Sequence, residues 1–237
     1  MKRLVFEPTD IPYLSFPSLS DINVAETSRQ IVKHDRRSAK KSYNPNFSQM
    51  KNICTGMADL ALLKSDLAPK KPIKPQTAAW MKSVYAVCEC LYTVYGAEQS
   101  TWYPARRVPI EILPGAWFKS AIRGVRVNNG VAKAHLINPR KSMFLREVDF
   151  AFLARWLIEF HIRDDANIQG FEIVDFGANP NGGDRSIRIR TDESLAPMTL
   201  EVFEATIERF LDAVQLAGFA TLPNDAAQTT DLFRKHW

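Results

Sequence analysis

Residues 117–137 read WFKSAIRGVRVNNGVAKAHLI, and the fold follows from how this stretch pairs with itself. Asn129-Gly130 is the strongest short signal for a two-residue hairpin turn. With that turn fixed, Asn128 opposes Val131, Val127 opposes Ala132, Arg126 opposes Lys133 and Val125 opposes Ala134. Val125, Val127, Ala132 and Ala134 then share one apolar face, which makes the register self-consistent. A bulge at Gly124 beside Arg123 would bring Ile122 opposite Leu136, again apolar on apolar. Two strands are therefore predicted, Trp117–Val127 and Val131–Ile137. The second face carries Lys119, Arg123, Arg126, Lys133 and His135. Arg126 directly across from Lys133 is unfavourable unless a carboxylate or a bound phosphate lies between them.

Outward from the hairpin, Val108–Leu113 reads as a short strand. Residues 147–162 repeat apolar side chains at helical spacing (Val148, Phe152, Leu153, Trp156, Leu157, Phe160). Phe171–Phe176 and Arg185–Arg190 are strands joined by the turn-rich 179–184 loop. Thr199 caps a last helix that Gly218 closes. Towards the N-terminus, three prolines favour an extended 1–19 segment. A helix runs from Ser20 or Asp21 towards Lys33, and another spans Gln49–Leu67. A buried helix capped by Thr77 ends at Gly96. The sequence thus predicts an α+β fold. An antiparallel sheet of about five strands packs on helices, preceded by a basic, mostly helical segment. The division expected is 1–68, a Pro/Lys linker at 69–76, and an α+β domain over 77–237.

Charge is divided unevenly. Residues 1–146 hold 23 Lys and Arg against 10 Asp and Glu, whereas 147–237 hold 8 against 16. Positive charge concentrated in this way points to a polyanion, most often nucleic acid, RNA or DNA. The candidate phosphate-binding residues are Arg106, Arg107, Lys119, Arg123, Arg126, Lys133, His135, Arg140, Lys141, Arg188 and Arg190. Trp102, Tyr103 and Trp117 are candidates for base stacking. The rival is self-neutralisation, in which the protein's own carboxylates quench these cations. The acidic C-terminal half (Glu201, Glu204, Glu208, Asp212) is the expected surface for a protein partner within a larger complex, and an adaptor with no nucleic acid is the third reading.

A nuclease is the enzymatic alternative. Its metal route would gather Glu159, Asp164, Asp165 and Asp175 around Mg²⁺, and its metal-free route would use His135 as general acid or base. The plainer reading of Arg155, Glu159 and Arg163 is an ion-pair ladder on one helix face. No Walker loop, G-x-G-x-x-G, G-x-S-x-G, C-x-x-C or H-E-x-x-H occurs, so no cofactor is indicated. Cys54, Cys88 and Cys90 read as free, packed thiols. No apolar run of membrane-spanning length and no signal segment is found, which predicts a cytoplasmic protein.

Overall fold

The computed structural model of the chain describes residues 4–15, 18–19, 21–36, 43–57, 59–69, 75–105, 110–113, 116–118, 122–163, 165–178 and 183–218. Among the described residues, eight strands form two sheets. The smaller has the order β1 (Leu4–Phe6), β4 (Ala116–Phe118), β3 (Ile110–Leu113). The larger has the order β2 (Thr101–Pro104), β5 (Gly124–Asn128), β6 (Val131–Asn138), β7 (Gly170–Asp175), β8 (Arg188–Thr191). The described helices are α1 (Asp10–Leu14), α2 (Val24–Arg36), α3 (Asn44–Ser48), α4 (Met50–Cys54), α5 (Leu60–Leu67), α6 (Pro75–Tyr95), α7 (Glu147–Leu157) and α8 (Leu200–Leu216). The fold is α+β, as the sequence implies.

The hairpin has the register derived from its turn. Arg126 faces Lys133, Val127 faces Ala132, and Asn129 and Gly130 take φ of 49° and 79°, as the tight turn requires. Regular pairing stops at Gly124 opposite His135. The Arg123 N–H still bonds the His135 carbonyl at 2.7 Å, so two residues face one, the arrangement of a bulge. A Cβ on Gly124 would lie 2.3 Å from the Trp102 ring, so the glycine is where the indole rests on the strand.

Several sequence expectations need correction. Trp117 does not lead into β5. Residues 116–118 belong to the small sheet, because Phe118 is drawn into a core with Phe6, Trp156 and Phe210. The large sheet is mixed, since β6 and β7 run parallel. The intervening α7 supplies the crossover that parallel strands need. The 49–67 helix is two helices, divided near Gly56 at φ 65°. Pro12 does not keep the N-terminus extended, since it sits in the first turn of α1, where its missing N–H costs nothing. The buried helix starts at Pro75, ahead of Thr77. The Pro/Lys linker falls largely outside the described residues, yet Met50, Ile53 and Leu63 before it pack in one cluster with Val84, Val87 and Leu91 after it.

Both faces of the large sheet are covered. On one, Trp102, Ile137 and Val174 pack under α4, α5 and α6. On the other, Ala134, Leu136, Phe171 and Ile173 pack with Phe150, Leu153 and Trp156 of α7 and Phe203 and Phe210 of α8. The face expected to stand open to a polyanion is therefore the floor under α6. No helix among the described residues is long and apolar enough to cross a membrane.

Candidate functional site

At the turn end of this covered face, the sheet and the end of α6 enclose a cleft of about 430 Å³. Its lining includes Arg126, Lys133 and His135 from the hairpin, Glu172 from β7, Ile189 from β8, and Val94 and Glu98 around the helix end. Ladder pairing explains the convergence. Arg126 stands opposite Lys133 and His135 beside Glu172, so their side chains emerge on one side of the sheet.

His135 is the centre of this arrangement. Its side chain is 1% exposed, and its Nδ1 lies 3.0 Å from the Tyr95 hydroxyl. Glu172 Oε1 lies 3.3 Å from the same nitrogen, within ion-pair distance but without a regular hydrogen bond. Nε2 of His135 makes no hydrogen bond among the described residues. The Tyr95 and Trp102 rings meet the imidazole edge-on, each at 5.5 Å. Burial, then the nearby Glu172 carboxylate, pushes the Tyr95 phenol well above its ordinary value, so the hydroxyl keeps its proton. Burial pushes the Glu172 carboxyl up, but His135, Tyr95 and Arg126 together outweigh it and hold the group below its ordinary value. Glu172 is thus ionised at neutral pH inside a mostly buried cluster.

The cations expected to grip phosphate are paired with the protein's own carboxylates. Arg126 donates to Glu98 at 2.8 Å and to the Ser100 hydroxyl at 2.8 Å, and its guanidinium lies over the Tyr95 ring. Arg123 bonds Glu7 at 3.3 Å and covers the Phe47 ring. Lys133 reaches Asp192 at 3.2 Å and Glu193 at 3.0 Å. Arg140 holds buried Asp10 at 2.7 Å. Arg188 pairs with buried Asp175, and Arg190 with Glu147 at 2.6 Å. The like-charge pair across the hairpin is thus offset by carboxylates that the chain supplies. Glu7, Asp10 and Glu98 come from the basic half of the sequence and Asp192 and Glu193 from the acidic half, so both halves supply the neutralising carboxylates. Lys141 is exposed. Arg106, Arg107 and Lys119 lie outside the described residues.

The aromatic candidates separate. Trp102 is 4% exposed and packs under α6, which removes it from any stacking surface. Trp117 is half-buried, and Tyr103 is exposed at the sheet edge. The nuclease acids do not converge. Glu159 bonds Arg155 and Arg163 in the ladder anticipated. Asp165 caps a turn at Asn167. Asp175 is fully buried on Asn138, Arg188 and the N–H groups of Leu145 and Gly177. Asp164 lies outside the described residues. No group of three potential metal ligands comes together among the described residues.

Sequence reasoning placed His135 on this face but missed its partners. Glu172 had a signal: it is an acid in the middle of an otherwise apolar strand, Phe171–Val174. Tyr95 had none, since a tyrosine closing a buried helix is ordinary. No known protein family matches the chain, and no curated protein matches its sequence.

Proposed function

We propose that the protein binds a small polar molecule in the cleft under α6 and moves a proton on it, with His135 and Glu172 as the acid–base pair. One observation carries this reading. An imidazole is buried at the floor of a cleft, with one nitrogen bonded to the Tyr95 hydroxyl and close to the Glu172 carboxylate, and the other without a partner among the described residues. A buried histidine oriented by a carboxylate and a hydroxyl is what general acid–base chemistry needs from a protein. The neutralised cations support it too. With Arg126 and Lys133 held by carboxylates, the site suits a compact ligand better than a chain of phosphates.

Protein-observed methyl NMR with a fragment collection tests the reading. Hits are expected to perturb the methyl signals of Val94, Val131 and Ile189, and to weaken at least tenfold in His135→Gln. Tyr95→Phe, which keeps the ring and removes only the hydroxyl, should weaken them less. Hits that settle elsewhere, or bind both variants like the wild type, would retire it.

A second reading, nucleic-acid binding, rests on the charge division. The described residues hold 18 Lys and Arg against 23 Asp and Glu, so the positive excess of the chain belongs to sequence outside them. Fluorescence anisotropy with labelled RNA and DNA at 50 and 200 mM salt checks it. Steep weakening with salt supports this reading, and salt-independent or absent binding removes it.

A further inference from the structure

The cleft's own chemistry narrows what it takes, and this step rests on the small-ligand reading above. We infer that its ligand is a small organic cation carrying a primary ammonium group. The argument begins with which charges a ligand can reach. Both cations are shielded, with side chains 9% exposed for Arg126 and 21% for Lys133. Their carboxylate partners are open, at 62% for Glu98 and 77% for Glu193. An entering molecule therefore meets negative charge at the rim, although Arg126 and Lys133 also line the cleft.

The unused polar atoms point the same way. Glu172 Oε1 is buried, ionised and without a hydrogen bond, so the interior presents a carboxylate oxygen in need of a donor. His135 is buried and lines the same cleft with Nε2 unpartnered. This second observation is independent of the acidic rim, and it lies deeper. A phosphate or carboxylate ligand would bring only acceptors to an acceptor already unsatisfied. An ammonium brings three donors and the opposite charge. Val94, Val131 and Ile189 give the walls short apolar ribs suited to an alkyl chain, and no Phe, Tyr or Trp among the described lining residues offers a platform for a sugar.

The test uses the full chain and simple probes. Isothermal titration calorimetry is run with 1,4-diaminobutane, with the isosteric neutral 1,4-butanediol, and with the dianion succinate. Binding of the diamine alone is expected, at least tenfold weaker in Glu172→Gln. Glu193→Gln, at an exposed position that threatens no packing, should weaken it about threefold and reduce its salt sensitivity. Succinate or the diol binding as tightly as the diamine would overturn the ammonium assignment and leave the cleft as a ligand site. Failure of the diamine to bind at millimolar concentration also overturns it, and if fragments have no effect on the cleft residues either, the small-ligand reading falls with it.

Discussion

A single side chain here shows how burial without a partner sets a pH limit. His161 lies in the wide π turn, Ile158–Ile162, that ends the α7 segment. Burial alone lowers its pKa to about 4, and its Nε2 has no hydrogen-bond partner. The unfolded chain takes up this proton near pH 6.5, whereas the folded chain resists until about pH 4. Below the unfolded value the unfolded state therefore binds more protons, so stability is complete above pH 6.5 and declines as the pH falls towards 4. At about 1.4 kcal/mol per pH unit, the loss between pH 7.5 and 5 is roughly 2 kcal/mol. Urea unfolding of wild type and His161→Phe at the two pH values measures it. The variant should lose roughly 2 kcal/mol less than the wild type, and equal losses would mean that the imidazole reaches water. His135 is more deeply buried than His161 but has Tyr95 and Glu172 at Nδ1, and this difference in partners makes it the better candidate for function.

At the scale of elements, the hairpin was legible because its turn, register and alternation are all local. Asn129-Gly130 dictated the pairing of β5 and β6 down to Arg126 opposite Lys133. What covers each face was not legible, because alternation shows that two faces differ without showing that the polar one meets solvent. Arg126, Lys133 and His135 looked like an open basic stripe. They lie instead under α6 and beside Glu98, at distances in sequence that no period reveals. The same blindness misassigned residues 116–118, whose partners Leu4–Phe6 are over a hundred residues away. Gly124 is where the local and distant determinants meet. Its place in the bulge is local, but its lack of a side chain serves Trp102, which seals α6 to the sheet beside His135. Gly124→Ala forces a methyl group into the indole, and an overpacked site of this kind costs about 1–3 kcal/mol. Chemical denaturation should show that loss together with a changed Trp102 environment in fluorescence. An unchanged midpoint would mean that the strand can shift away from the ring.

For the whole molecule, net charge and cooperativity are both properties of how the layers share the sheet. The asymmetry between residues 1–146 and 147–237 is real in sequence, yet within the described fold most named cations have a carboxylate within 3.4 Å. Ion pairing is decided by neighbours in space, so the sum over a segment does not predict an open patch. Packing raises the parallel question of whether the two cores act as one. They lie on opposite faces of the same strands: Leu136 and Ile173 point to one, Ile137 and Val174 to the other. Neither face can lose its cover while β6 and β7 keep their pairing and remain shielded from water on both sides, which predicts a single unfolding transition. Leu153→Ala tests this from one side, since Leu153 is fully buried in the α7–α8 core. The truncation should cost about 2–5 kcal/mol. The reporters sit on the other side, because Cys54 and Cys88 are buried thiols in the core beneath α6. Their reaction with a thiol reagent along a urea series should move to lower urea by the same increment as the far-ultraviolet circular dichroism. If the thiols keep their protection while the dichroism shifts, the α6 layer folds on its own, and the cleft with His135 at its floor belongs to an independently stable unit.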